Sequence, residues 1–422
     1  MKKHALLALM IALLAMLLLS ACGETPEPDP EPTPAPTSQP SPEPAETPEP
    51  EETAPVTNLG DAPDFGPLSD DPYAFQLELD GVVYQFPMTY AQLLSFGWEY
   101  KDDEDEMLDS GYYKSSGHFT KGDMTVYFSI INLDINALPV KNCIIGGINI
   151  DWFGLRNLPD TSIILPRGIV FGEATADDVR SAYGTPSYEA VTSGGLEIVE
   201  YSLDYRQEIK LNFNAETGIL DKININNYIA PPDFEVSEVS SEIPEIVGRY
   251  TVPTAISNNF ADWTFNYGGK IYTLPAPLSE FVDDGWVIDE NDSQMIIEGR
   301  GYGWVTIRKD NQKLRVIVNN YSEGATAVTN CFMTSVRSDQ SDAKISLTIA
   351  NGITIGMSNT DVKAALSGAT VEEGESSTYY YYNVYPTDSK SHYYSILLHN
   401  NTDEVYTITI TYGPRYTDYI NR

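Results

Sequence analysis

The chain has 422 residues and carries 61 acidic against 25 basic side chains, a formal net charge of −36. That balance, without any cluster of Lys and Arg, excludes nucleic acid and anionic headgroups as partners, because both are bound through grouped cations. Three cysteines and four histidines exclude a disulfide scaffold and a zinc protein.

At the N-terminus, Lys2 and Lys3 precede an uncharged apolar run of 15 residues, Ala5 to Leu19, followed by the small residues Ser20 and Ala21. A positive start, an apolar stretch short of the roughly 20 residues of a membrane span and a small-residue cleavage site predict a secretory signal over residues 1–21. Leu19-Ser20-Ala21-Cys22 resembles the lipobox of bacterial lipoproteins. The resemblance implies that the Cys22 thiol receives a diacylglyceryl group and that the chain is cut before it. The protein is then exported and anchored by lipid to the outer face of the cell membrane. Gly23, where the family's sorting rule looks for Asp, admits the outer membrane in a cell with two membranes. Two acyl chains anchor stably where one holds only marginally.

Residues 22–70 read as a tether. Twelve of the 28 prolines lie between Pro26 and Pro55, among Glu, Thr and Ser, and no Lys or Arg occurs between His4 and Tyr100. Such text has too little apolar surface to offset its ordering entropy, so a disordered, extended spacer is expected. In polyproline II, at about 3.1 Å per residue, it reaches on the order of 100 Å.

Beyond the tether the chain repeats. Gly81, Tyr84, Pro87, Gly97, Trp98, Asn132, Asn142 and Cys143 recur 188 residues later as Gly269, Tyr272, Pro275, Gly285, Trp286, Asn320, Asn330 and Cys331. The match resumes further on, where Gly168, Ile169 and Gly172 pair with Gly352, Ile353 and Gly356, and Val179 with Val362. This period is too long for a solenoid and indicates a duplicated domain: residues 71–235, a linker at 236–258, and residues 259–422.

In chain order, Phe75-Leu77-Leu79 alternates with polar residues up to Asp80-Gly81, and Val83-Tyr84-Phe86 follows, which predicts a hairpin. Trp263-Phe265-Tyr267, Gly268-Gly269 and Ile271-Tyr272-Leu274 predict the same hairpin in the second copy. Thr89 and Gln92 have capping-box spacing ahead of Tyr90, Leu93 and Leu94, so a short helix is expected, with Gly97 just past its end. Leu278, Phe281, Val282 and Gly285 match it. The two equivalent tryptophans, Trp98 and Trp286, are expected in the cores. Strands are predicted over Met124 to Asn132 and around Leu314, Val316 and Val318. Leu165 to Phe171 is expected as a strand, Thr175 to Tyr183 as a helix stopped by Gly184 and Pro186, and Leu196–Leu203, Glu208–Phe213 and Ile219–Ile225 as strands. The second copy predicts a helix at Thr360–Leu366 and strands near Tyr379–Tyr385, Tyr393–His399 and Val405–Thr411. The expected class is α+β: two duplicated strand-rich domains, mostly antiparallel sheet with short helices.

Gly172-Glu173-Ala174-Thr175-Ala176-Asp177-Asp178-Val179, then a helix, then Gly184-Thr185-Pro186 and antiparallel strands, resembles the pattern of small envelope lipoproteins. The outer-membrane assembly lipoproteins and the tandem-repeat β-lactamase inhibitor proteins look like this over about 60 residues of each copy. The second copy departs: Gly368-Ala369-Thr370 lacks the proline, and one residue is missing before Val362. The resemblance implies a protein-binding or inhibitory surface on the sheet.

No catalytic constellation is legible: the sequence has no Gly-x-Ser-x-Gly, no phosphate loop, no His-Glu-x-x-His and no cysteine with a histidine partner, and no metal or cofactor is expected. The acid run Asp102 to Glu106 lacks the ligand spacing of a calcium loop and reads as a solvated loop. Cys143 and Cys331 read either as a disulfide between the copies or as two separate buried thiols. Tyr379 to Tyr382 are consecutive, and strand alternation must send half of them to each face. One reading is strand-forming tyrosines on a half-buried sheet. The other makes Tyr380 and Tyr382 an exposed strip that binds protein or stacks on sugar rings. The functional expectation is a lipid-anchored, non-enzymatic binding module for protein or envelope glycan. The alternatives are an envelope enzyme, such as a carboxylate-dependent wall hydrolase, and a membrane assembly factor.

Overall fold

The structure, a computed structural model, describes residues 61–151, 155, 160–341 and 345–421. Cys22, the signal sequence and residues 22–60 of the tether lie outside the described residues.

The first hairpin forms as its sequence demands. Gln76–Leu79 pairs with Val82–Gln85, and Asp80 and Gly81 turn between them at φ 50° and 79°. Two positive φ values in a two-residue loop match the twist of the strands they join. In the second copy Thr264–Tyr267 pairs with Lys270–Thr273 across Gly268 and Gly269. Helix Tyr90–Ser95 carries the full capping box, with Thr89 Oγ1 accepting from Gln92 N–H and Gln92 Oε1 accepting from Thr89 N–H. Ala176–Tyr183 repeats the device with Thr175 and Asp178. The second-copy helices Leu278–Asp283 and Asn359–Ala365 start at Pro277 and Ser358.

The strand expected over Leu165–Phe171 is two strands. Ile163–Leu165 and Ile169–Val170 fold back on each other across Pro166–Gly168, because Arg167 and Gly168 take left-handed backbone at φ 60° and 74°. A further strand, Tyr188–Val191, precedes the three expected after the helix.

Long strands carry the architecture. In the first copy, Tyr188–Val191, Glu197–Asp204, Gln207–Phe213, Leu220–Asn227, Ile144–Asp151, Met124–Ile131, Tyr113–Lys121 and Glu99–Tyr100 lie side by side in that order. Met88–Thr89 adds to Ile144–Asp151 and completes nine antiparallel strands. The second copy has the same order split into two five-stranded sheets. The split falls at Thr334, between Phe332–Met333 and Ser335–Asp339, where the first copy has Gly146 and Gly147 inside one strand. A Cβ on Gly147 would lie 2.0 Å from Ile225 O, and one on Gly146 would lie 2.5 Å from the Tyr228 ring. Only glycine allows the continuous strand with Tyr228 lying against it.

Each copy has its own core. Trp98 and Trp286 are among the largest fully buried side chains. Trp98 packs edge-on to Phe128 at 5.1 Å and donates its indole N–H to Tyr84 Oη at 3.1 Å. Trp286 stacks on Tyr267 at 5.5 Å. Burying a large apolar side chain contributes about 1.5–3 kcal/mol, so each of these tryptophans adds materially to its core. Cys143 and Cys331 are free and buried in the separate cores.

The ends of the first copy and the linker are more tightly held than composition suggests. Phe65, within the tether as read from sequence, stacks on Phe96 at 6.2 Å and packs against the first core. In the linker Ser237 N–H donates to Asp134 Oδ2 at 2.8 Å, and Tyr250 Oη accepts from Thr273 N–H at 3.1 Å. No helix among the described residues is long and apolar enough to cross a membrane.

Candidate binding surfaces

Tyr380 and Tyr382 do not form an exposed strip. They pair across the sheet with Leu398 and Ile396, both fully buried, and directly opposed residues share a face. Tyr382 is 4% exposed, and its hydroxyl donates to Asn359 Oδ1 at 2.6 Å. Tyr380 is half-buried and packs against the same core. The outward tyrosines of the run are Tyr379 and Tyr381. Tyr379 lies 5.5 Å from the His399 ring and 5.6 Å from Tyr406, in an aromatic cluster on the other face.

The outer face of the nine-stranded sheet carries a row of polar residues. Strand register lines up six residues, one from each of six neighbouring strands: Glu200 opposite Lys210, Lys210 opposite Asn224, Asn224 opposite Asn149, Asn149 opposite Tyr127, and Tyr127 opposite His118. The residues flanking them along each strand point inward and are buried, among them Phe128, Ile148, Ile150, Ile223, Ile225, Ile209 and Leu211. Period-two alternation therefore anchors the strands in the core and turns this row to the outer face, where Tyr127 is exposed and the other five are partly buried. Tyr127 is 42% exposed, and its ring lies 5.7 Å from His118. Lys210 Nζ is 3.5 Å from Glu200 Oε2.

A second network borders the row. Asn226 Oδ1 accepts from Ser129 Oγ at 3.1 Å and from Tyr228 Oη at 2.9 Å, and its Nδ2 donates to Glu208 at 2.8 Å. Tyr113, 57% exposed, lies 5.2 Å from Tyr228. Tyr302 takes the equivalent edge position in the second copy, opposite Asn319 as Tyr113 is opposite Ile131. Trp304 follows at 46% exposure, with the Arg315 guanidinium 5.3 Å from its ring.

The sequence reading missed this row, although its signal is present. Ile148-Asn149-Ile150 and Ile223-Asn224-Ile225 each place an asparagine between two core isoleucines. Only the register shows that these asparagines are neighbours.

The two copies meet through equivalent loops. Ala137 N–H donates to Glu323 O at 2.8 Å, Gly299 N–H to Ile135 O at 2.8 Å, and Ala325 N–H to Asn136 Oδ1 at 2.7 Å. Arg300 closes the contact. Its guanidinium lies 4.0 Å from the Tyr416 ring, 3.0 Å from Glu323 Oε1 and 3.9 Å from Asp109 Oδ1. Burial raises the Asp109 carboxyl above its ordinary value, and the arginine opposes the shift. A cleft of about 350 Å³ lies beside Arg300. Because Arg300 already meets two carboxylates and a ring, its charge serves the joint between the copies.

The acid run 102–106 is tied into the fold by lysines. Lys114 lies 2.6 Å from Glu106 and 3.8 Å from Asp102, and Lys141 lies 2.5 Å from Asp105. Among the described residues no group of three His, Cys, Asp or Glu side chains is arranged to hold a metal ion. Burial pushes the Cys143 thiol up to about 12, with the Asp134 charge adding to the shift, and burial raises Cys331 as well. Neither thiol is arranged as a nucleophile.

No known protein family, characterised protein or solved structure matches this chain.

Proposed function

We propose that the protein is an exported lipoprotein, anchored at the membrane through lipid on Cys22, that presents its two strand-rich domains as a non-enzymatic binding module for a protein or an envelope glycan. The observation that carries the reading is the row Glu200–Lys210–Asn224–Asn149–Tyr127–His118 on the outer face of the first sheet. It brings both charges, two amides, a phenol and an imidazole onto a surface six strands wide, with Tyr127 exposed, the others partly buried and Asn224 Oδ1 buried without a hydrogen-bond partner. Amide and aromatic groups of this kind supply hydrogen bonds and stacking area at low entropy cost. The Pro- and Glu-rich composition of the tether supports the same reading, since such a sequence suits a spacer between a lipid anchor and folded domains.

The test uses the full chain in detergent against arrays of envelope polysaccharides and of envelope proteins. The wild type is expected to bind at least one species. Tyr127→Ala combined with Asn149→Ala is expected to weaken that binding by about tenfold or more, the scale of a lost interface anchor. Unchanged binding by the double variant removes the sheet face from the account.

A further inference from the structure

Arg167 and Asn351 hold one position in the two copies. Both sit in a left-handed turn residue, at φ 60°, ψ 21° within Pro166–Gly168 and φ 57°, ψ 20° within Ala350–Gly352. Both side chains donate to a carbonyl near the end of the helix that follows, Arg167 to Ala182 O and Asn351 to Ala365 O at 2.8 Å. The arginine reaches further. Its Nε also donates to Asp70 O at 3.0 Å, so the guanidinium bridges the helix end and the segment leading into the first hairpin. Asn258 stands 188 residues after Asp70 and is its counterpart. The shorter asparagine side chain makes only the helix-end bond.

Where the first copy has a guanidinium, the second has an open cleft of about 260 Å³. Its wall includes Asn258, Asn351, Ser367, Thr370 and Tyr385, with the buried Phe260 beneath. No residue on the wall is charged, in a chain of net charge −36. The cation beside it, Lys390, lies 5.5 Å from the Tyr385 ring and is paired with Glu372 at 3.3 Å. Among the described lining residues an anion therefore has no cation to meet, and an apolar ligand would leave amides and hydroxyls without partners. Asparagine amides and Ser/Thr hydroxyls both donate and accept, as the hydroxyls of a polyol do. The volume is below the roughly 300–1,000 Å³ of drug-sized sites, which suits a single ring.

We infer that this cleft is a binding site for a neutral polyhydroxylated ligand, a single sugar ring at the end of a glycan, opened in the second copy by asparagine at the position where the first copy has arginine. The site is separate from the sheet row, and the two stand or fall independently.

The test is saturation-transfer NMR and titration of the full chain in detergent with glucose, galactose, rhamnose and N-acetylglucosamine, and with glucuronate as an anionic probe. At least one neutral sugar is expected to bind. Asn351→Arg, which installs the first copy's own solution, is expected to weaken it by about tenfold or more without lowering the unfolding midpoint. Tyr385→Ala is expected to weaken it as well, whereas Tyr127→Ala on the sheet row leaves it unchanged. Three results overturn the inference: no neutral sugar binds, glucuronate binds as tightly as the neutral sugars, or Asn351→Arg and Tyr385→Ala both bind like the wild type.

Discussion

Asn132 and Asn320 hold equivalent buried positions and shape the two loops through which the copies meet. Asn132 Nδ2 donates to Leu108 O at 2.8 Å and Asn136 O at 2.7 Å, and Asn320 Nδ2 donates to Glu298 O at 2.9 Å and Gly324 O at 2.8 Å. Each Oδ1 accepts from the backbone N–H two residues on, at 2.9 Å in both copies. The repeat identity at this position is thus an identity of hydrogen-bond geometry. Replacing either asparagine with alanine leaves several buried backbone groups without partners. Each substitution is expected to cost about 1–3 kcal/mol or more, read as a lower midpoint in urea unfolding.

The joint itself has a point with no spare room. A Cβ on Gly299 would lie 1.8 Å from Glu323 O and 2.5 Å from Ala137 N, both backbone atoms of the inter-copy contact. Gly299→Ala must push the loops apart, at about 1–3 kcal/mol. Calorimetry is expected to show the two domains unfolding with more separated transitions than in the wild type. An unchanged profile would mean that the loops yield without loss.

The cysteines set a pH and reactivity prediction. Burial favours the neutral form of both thiols in the fold and pushes Cys143 up to about 12 from an ordinary 9.0. A folded value raised above the unfolded one gives stability that is fully present below pH about 9 and lost as pH rises toward the folded value. Stability is therefore expected to fall on the alkaline side from this source. Iodoacetamide at pH 8 is expected to label neither Cys143 nor Cys331 in the native protein and both after denaturation. Mass spectrometry decides the outcome, and a peptide linking Cys143 to Cys331 would contradict the free, separately buried thiols.

Cys22 governs location in the proposed account. Cys22→Ala is expected to move the protein from the membrane fraction of its host to the soluble or secreted fraction, because the variant lacks the thiol that the proposed diacylglyceryl group needs. Intact-mass analysis of the wild type is expected to show a mature chain beginning at a lipid-modified Cys22. Equal membrane retention of the variant would contradict the lipid anchor.

Local features were legible because local chemistry decides them. Asp80-Gly81 forces a tight hairpin, Thr89 with Gln92 closes a capping box, and Trp98 and Trp286 have no place to go but the cores. The face of the tyrosine run was not legible. Four identical residues carry no alternation, and the face is set by the partner strand, where Ile396 and Leu398 fix Tyr382 and Tyr380 inward. The row across the first sheet was hidden for a related reason. Its six members come from segments far apart in sequence, and only register makes Asn149 a neighbour of both Tyr127 and Asn224. The cleft at Asn351 depends on what a shorter side chain fails to reach, which requires both copies' geometry.

The most direct test of binding through the sheet face is photo-crosslinking on intact cells, with p-benzoylphenylalanine placed at Tyr127 and, as an exposed position off the row, at Tyr205, which is 91% exposed. A discrete crosslinked adduct is expected at Tyr127 and none at Tyr205. Adducts of equal yield at both positions, or none at Tyr127, would contradict it.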